Sequence, residues 1–502
     1  MDIKKTMSKF GFGHRNVKHI IIDHDGELWL TMAPMAMGGG LPMAISTLPG
    51  TLRIEPLENG APAPYTYSAT EALLELTTGN GAKVKFVIDP TSKAIVISGN
   101  TAFRLNGVES TPMMTTLNTP DGVTIGAGAN RYLFAAAKGK ISFDDAWMLN
   151  QMRSVIPVLN VEPEGGEFEL YAFDLPADTL VPPVTKTTGA YAAESSAAFN
   201  AFIDSIVDIP SEWGDVKEQI AYPLWLCHMA QNGKEVIVRN KYDSVNTNSI
   251  LMSIASMAFK DARKAVDMIL SCPVDLPPVA GIAATRLLDD GMLNDSRGEI
   301  FKICSAIEAA ARKCVNERAV KGDELSFYSY RFESGMDRSP EFFKVGSPVI
   351  APDLNAYLII ASEALGKLAQ MEYDPGFGRR WETRAKELLI KLIAELWNGE
   401  DFVGKNAYTG ETSEPDEFLS LAPIILGSRL PEEIVRKLSG KITAEATNSA
   451  IGLLFVGGLY DAGEKDAAAE LTRKALAGVR ERGINCPFYG ASLIALAHKV
   501  LL

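Results

Sequence analysis

The sequence predicts two domains: an N-terminal antiparallel β-sandwich over residues 1–185, then an all-α toroid, an (α/α)6 barrel, over residues 186–502. Three observations carry that prediction. Up to about Pro183 the apolar residues come in short or alternating runs bounded by Gly, Pro, Asn or Asp, and none sustains a helical period for three turns. Beyond Ala192 the apolar period becomes helical, in pieces of about 10 to 18 residues. Between the two, Leu180–Gly189 carries Pro182, Pro183, Thr185, Thr187 and Thr188 and breaks the strand rhythm.

The strand runs are 19–22, 27–32, 51–56, 82–88, 94–98, 131–136 and 167–173, rich in Val, Ile, Phe, Tyr and Thr. Gly38-Gly39-Gly40 lacks the lysine and helix start of a phosphate loop and reads as a sandwich loop that reaches towards the barrel mouth. The helical pieces lie near 197–208, 215–232, 247–259, 262–271, 278–290, 297–316, 353–371, 379–398, 416–427, 431–438, 446–462, 465–481 and 489–501. About a dozen helices at roughly 25 residues per helix and connection is the spacing of stacked helical hairpins. No fixed-period repeat marks a solenoid, which favours a closed toroid. In the piece from Arg379, Ala385, Leu388, Leu389, Leu392, Ile393 and Leu396 recur at three and four residues, while Glu382, Lys386, Lys391 and Glu395 take the other faces.

The composition narrows the partners. With 47% hydrophobic and 22% charged residues the chain is globular, and its net charge of −13 repels phosphate backbones and anionic lipid surfaces. Nucleic acid and membrane are therefore not expected as partners. The five cysteines, Cys227, Cys272, Cys304, Cys314 and Cys486, follow no disulfide or zinc spacing and suit a reducing cytoplasm. Lys4 and Lys5 are not followed by the apolar stretch of a secretory signal, and no run approaches the ~20 apolar residues of a membrane helix. His228, among Leu224, Trp225, Leu226 and Met229, reads as a core histidine, and His14, His19 and His24 lack further ligands, so neither metal nor cofactor is expected. Oligomeric state is not legible.

The longest polar and aromatic connection between helical pieces holds Arg331-Phe332-Glu333-Ser334-Gly335-Met336-Asp337-Arg338-Ser339-Pro340. Two carboxylates four residues apart, interleaved with arginines and flanked by Phe327, Tyr328 and Tyr330, bring together acids, hydroxyl-binding groups and sugar-stacking rings. The string Glu-Ser-Gly-Met-Asp-x-Ser-Pro resembles the signature loop of the inverting glycoside hydrolases that include processing α-glucosidase I and mannosylglycerate hydrolase, with trehalase more distant. Ala351–Leu358 is similar to the helix that follows this loop in the family, Leu276-Pro277-Pro278-Val279 to an earlier helix entry, and Ser413–Leu421 to a further family segment. The resemblance covers residues 215–500 in outline and is specific over 331–358. It implies a β-sandwich ahead of an (α/α)6 catalytic barrel, a small oligosaccharide or glycoside as substrate, and Asp337 as general acid.

Such an acid must be protonated at working pH, which calls for desolvation or nearby negative charge. Glu333 is the candidate to supply that charge or to bind a sugar hydroxyl. Arg331, Phe332, Tyr330, Arg338, Asn248 and Tyr489 complete the candidate substrate-binding set. The family's catalytic glutamate belongs to a C-terminal loop that is here only Arg482–Gly490, without a carboxylate, and Val245-Asn246-Thr247-Asn248 stands where the family lines its sugar subsite with tryptophans. Glu411, Glu414 and Glu445 are the candidates to replace the base. Two other readings stay open: a carbohydrate lyase on the same scaffold, and a sugar-binding protein that has lost its base.

Overall fold

The structure, a computed structural model, describes the chain except for residues 16, 18, 33–51, 108–113, 120–121, 128–129, 145–146, 149–152, 155–157, 175–185, 232–233, 238–244, 272–276, 295, 321–323, 336–340, 372–373 and 417. The readings placed on Gly38–Gly40, on Pro182-Pro183 and on Leu276 lie outside the described residues. The chain clusters into two compact units, one made of 1–204 with 221–229 and 238–240, the other of 205–220, 230–237 and 241–502.

The first unit is built on two antiparallel sheets, as the alternating runs predict. One runs in the spatial order His19–His24, Glu27–Met32, Leu52–Glu58, Phe103–Gly107, Val158–Glu162, Lys140–Asp144. The other runs Met114–Thr119, Gly122–Ala127, Asn130–Lys138, Phe168–Asp174, Ile95–Gly99, Lys83–Ile88, Leu74–Thr78, Tyr65–Ala69. Phe103 from the first stacks on Phe168 from the second at 5.1 Å between ring centroids, so the sheets pack face to face. Helix α1 (Thr188–Asp204) covers the far face of the second sheet, where Tyr191 joins Val87, Val96 and Phe173. It begins nine residues before the predicted start. Its buried stripe is Tyr191, Ser195, Phe199 and Phe202, and the Ser195 hydroxyl donates to the Ile88 carbonyl, so a polar residue occupies a core position that an apolar count overlooks. His228 is a core residue as expected, with Phe202 edge-on at 5.5 Å. His14 meets Trp225 in the same way, and burial pushes its imidazole down to about 4.

The second unit is helical. Its elements are α2 (Gly214–Cys227, shared with the first unit), α3 (Val245–Ser256), α4 (Ala262–Leu270), α5 (Ala280–Asp289), α6 (Arg297–Glu317), α7 (Pro352–Met371) and α8 (Pro375–Leu396). A 3₁₀ segment Ala422–Arg429 follows, then α9 (Glu432–Ser439), α10 (Ala450–Asp461), α11 (Lys465–Arg482) and α12 (Pro487–Leu501). α3, α5, α7, the 3₁₀ segment, α10 and α12 each pack on the next, and α12 packs back on α3, which closes a ring of six. The toroid follows from this closure. Inner and outer helices differ in burial for that reason: 16 of the 20 residues of α7 are buried, whereas α8 buries only Gly378, Trp381, Ala385, Leu388, Leu392 and Leu396.

Two predicted helices are corrected. The piece 215–232 ends at Cys227, and His228–Gln231 is a strand paired with Lys234–Ile237, because Asn232-Gly233 between two short runs is a hairpin signal that outweighs continued helical periodicity. The piece 416–427 is a turn followed by the 3₁₀ segment, interrupted at Gly427, whose φ of 58° only glycine adopts without strain. A Cβ there would stand 2.6 Å from Cβ of Asp461.

The ring is tight at α5–α7, where a Cβ on Gly281 would come within 2.5 Å of the Ala361 Cα. Gly281→Ala should therefore destabilise the protein by about 1–3 kcal/mol through overpacking, although alanine is favoured in an isolated helix by about 1 kcal/mol. A urea midpoint equal to or above that of the parent protein would contradict this packing.

Candidate active site

Some of the stretches that precede the inner helices come together: the turn Arg331–Ser334 packs on α3, and Asp416, ahead of the 3₁₀ segment, acts on Asp353 at the start of α7. Asn248 lies in the first turn of α3, the signature loop precedes α7, Glu445 precedes α10 and Tyr489 lies in the first turn of α12. The Asn248 side chain, Asp337 and Arg338 lie outside the described residues.

The signature loop is held at its base by a three-stranded sheet, Phe327–Tyr328, Val349–Ile350 and Lys405–Asn406, with Tyr328 opposite Val349 and Val349 opposite Asn406. The first turn of α7 locks the two loop ends together. Asn355 accepts from the Ser326 amide at 2.8 Å and donates to the carbonyls of Ser326 and Ala351, both at 2.9 Å. Tyr328 donates to Asp353 Oδ2 at 2.8 Å. Asp353 is 1% exposed and its Oδ1 is buried without a partner. Burial pushes its carboxyl up to about 7, and the charge of Asp416 adds to the effect against the Tyr328 bond, which acts the other way.

Inside the loop, Glu333 is buried. Arg318 donates to its Oε1 at 2.5 Å and the Ser329 amide to its Oε2 at 2.5 Å, while a second Arg318 nitrogen bonds the Ser329 hydroxyl. Both oxygens of Glu333 are thus engaged in shaping the 3₁₀ turn Arg331–Ser334, which Gly335 ends in the left-handed region at φ 66°. Tyr330 and Phe332 are exposed, and Arg331 lies over the Phe332 ring at 4.7 Å. Tyr489 is half-buried, and burial raises its phenol.

Of the base candidates, Glu411 and Glu414 are exposed on the segment after Lys405–Asn406. Glu445 is exposed too, but it lines a cavity of about 600 Å³ together with Asp416, Phe418, Thr443, Lys441, Asp401 and Phe455. Asp416 is buried, and its Oδ1 accepts from the amides of Phe418 and Leu419 at 2.9 and 3.0 Å. Asp416 and Asp353 are the acidic residues that sequence reasoning left without a role. Asp416 sits in Glu414-Pro415-Asp416-Glu417, where four similar residues hide which one turns inward, and Asp353 is an acid at a helix start, ordinarily a solvated position. A second cavity of about 590 Å³ opens among the C-terminal halves of the inner helices, away from the signature loop; its Arg286, Arg429 and Lys499 are paired with Asp290, Glu363 and Asp461.

Residues 230–453, which contain the signature loop, α7 and the wall carrying Asp416 and Glu445, match the family model of the mannosylglycerate hydrolase MGH1-like glycoside hydrolase domain. This match covers less than half of the chain and falls almost wholly in the helical unit. The chain is similar to the GH63 mannosylglycerate hydrolase from Thermus thermophilus solved with Tris, at 15% identity over 50% of this chain and 91% of that one, with a TM-score of 0.41. It is similar to a bacterial glucoamylase complexed with acarbose at 9% identity over 99% and 95% of the two chains, TM-score 0.48. A GH92 family glycosyl hydrolase aligns at 11% identity over 93% and 77%, TM-score 0.49. No curated protein matches the sequence. Among the described residues no helix is long and apolar enough to cross a membrane.

The state of Asp353 is open to measurement. Its carboxyl lies near 7 when folded against 3.8 as the ordinary value, so between these the folded chain holds the extra proton and stability falls as pH rises. The loss amounts to about 4 kcal/mol between pH 4 and pH 8. Asp353→Asn, which still accepts from Tyr328, should flatten that slope; an unchanged slope in urea titrations across this window would show that Asp353 ionises normally.

Proposed function

We propose that the protein is an inverting glycoside hydrolase, an α-glycosidase of the cytoplasm, which cleaves a small oligosaccharide or glycoside with its helical domain, from about residue 186, and with Asp337 as general acid. The observation that carries this reading is the string Glu333-Ser334-Gly335-Met336-Asp337-Arg338-Ser339-Pro340 inside the segment that matches the glycoside hydrolase model. Inversion needs a protonated carboxyl on the leaving oxygen and a second carboxylate about 6.5–9.5 Å away that activates water from the opposite face. Glu445 is put forward as that base rather than Glu411. It shares a cavity with the Phe418 and Phe455 rings, a combination that suits a sugar, whereas Glu411 is exposed on a hairpin. Arg331, Arg338, Asn248 and Tyr489 are the proposed hydroxyl and carboxylate contacts of the substrate. Glu333, with both oxygens engaged by Arg318 and Ser329, serves best as the strut that shapes the acid's loop.

Asp337→Asn should lower kcat on the order of a hundredfold for a glycoside with a poor leaving group and less for an activated aryl glycoside, which needs little protonation. Glu445→Gln should abolish turnover of both, because water must still be activated. Full activity of Asp337→Asn on both substrates would remove it from the mechanism. A product with ultraviolet absorbance from an unsaturated sugar would identify a lyase instead, and binding without turnover in the parent protein a sugar-binding protein.

A further inference from the structure

The three-stranded sheet below the signature loop has a feature that the hydrolase reading does not use. Phe327–Tyr328 and Lys405–Asn406 are both antiparallel to Val349–Ile350, so they are parallel to each other and leave the sheet at the same end. Tyr328 and Asn406 face each other across Val349, two strand spacings or roughly 10 Å apart. Two residues beyond each comes a tyrosine, Tyr330 and Tyr408, and these are 54% and 75% exposed.

Both tyrosines stand on rigid supports. Asn406 is buried; its Oδ1 accepts from the amides of Tyr408 and Thr409, both at 2.9 Å, and its Nδ2 donates to the carbonyls of Val345 and Gly346 at 3.0 and 3.1 Å. On the other side the Glu333 carboxylate takes the Ser329 amide, next to Tyr330. An exposed large ring costs solvation, and two mounted in fixed positions at one sheet end are preorganised for a ligand. Their surroundings decide which. Arg331 on the one segment and Thr409, Glu411 and Thr412 on the other are exposed, and among the described residues no exposed large aliphatic side chain lies on these segments. Apolar faces set among hydroxyl, carboxylate and guanidinium groups match a pyranose, which offers C–H faces and hydroxyl edges, better than the apolar core of a protein partner.

We propose that Tyr330 and Tyr408 form an aromatic platform that binds the chain of an oligosaccharide beyond the sugar unit that reacts, and so select for longer substrates. This rests on the glycosidase reading for the identity of the reacting unit. The separation of the two strand ends spans about two sugar units, so the two tyrosines take alternate rings of the chain.

The test is calorimetric binding of gluco- and manno-oligosaccharides, from disaccharide to hexasaccharide, to the full chain and to Tyr408→Ala and Tyr330→Ala, with turnover of the same sugars followed in parallel. The parent protein should bind the hexasaccharide more tightly than the disaccharide, and each substitution should weaken hexasaccharide binding about fivefold and narrow that ratio. A hexasaccharide-to-disaccharide ratio identical in all three proteins, or no saccharide bound by the parent protein, overturns the platform. Length-dependent binding that falls in Tyr408→Ala, with no sugar cleaved, keeps the platform and discards the hydrolase. Cleavage with a length preference indifferent to Tyr408 does the reverse.

Discussion

The site depends on the buried first turn of α7. Asn355 ties Ser326 to Ala351 and Asp353 takes the Tyr328 hydroxyl, so two side chains on a helix that is buried nearly all round fix both ends of the loop that carries the acid candidate. A loop of some two dozen residues would otherwise sample many conformations, and catalysis by proton donation requires one. The helix can do this because the ring of six inner helices immobilises it, and Gly281 allows α5 to approach it to backbone contact.

The same burial has an electrostatic consequence. A carboxyl with one buried oxygen unpartnered and Asp416 nearby holds its proton up to about neutral pH. Negative charge is therefore shared among Asp353, Asp416, Glu333 and Glu445 in different ways: neutralised by burial, bonded to backbone amides, paired with Arg318, and exposed along a cavity wall.

The two large cavities differ in their lining rather than in their volume. They are nearly equal in size and both pair lining cations with carboxylates, but the one near α10 brings three acids, Asp401, Asp416 and Glu445, together with two aromatic rings, and its Asp416 acts on Asp353 at the start of α7.

The sequence by itself determined the class of most segments and carries the string on which the proposed chemistry rests. Alternation at two residues and recurrence at three to four are properties of local chain geometry, so the two sheets, the run of helices and the amphipathic face of α8 were legible before folding, as was the string around Asp337. Only the tertiary structure decided what depends on contacts across the chain. Closure of the ring made α7 an inner helix, which turned Asp353 from an ordinary helix-start acid into a buried one. The clash that any Cβ at Gly427 would make with Asp461 accompanies the change of a helical pattern into a 3₁₀ turn. Among Glu411, Glu414, Asp416 and Glu445, similar in sequence context, packing chose which faces a cavity and which faces water. Burial is a property of the neighbours a residue acquires, and periodicity fixes the face of an element without fixing what comes to lie against it.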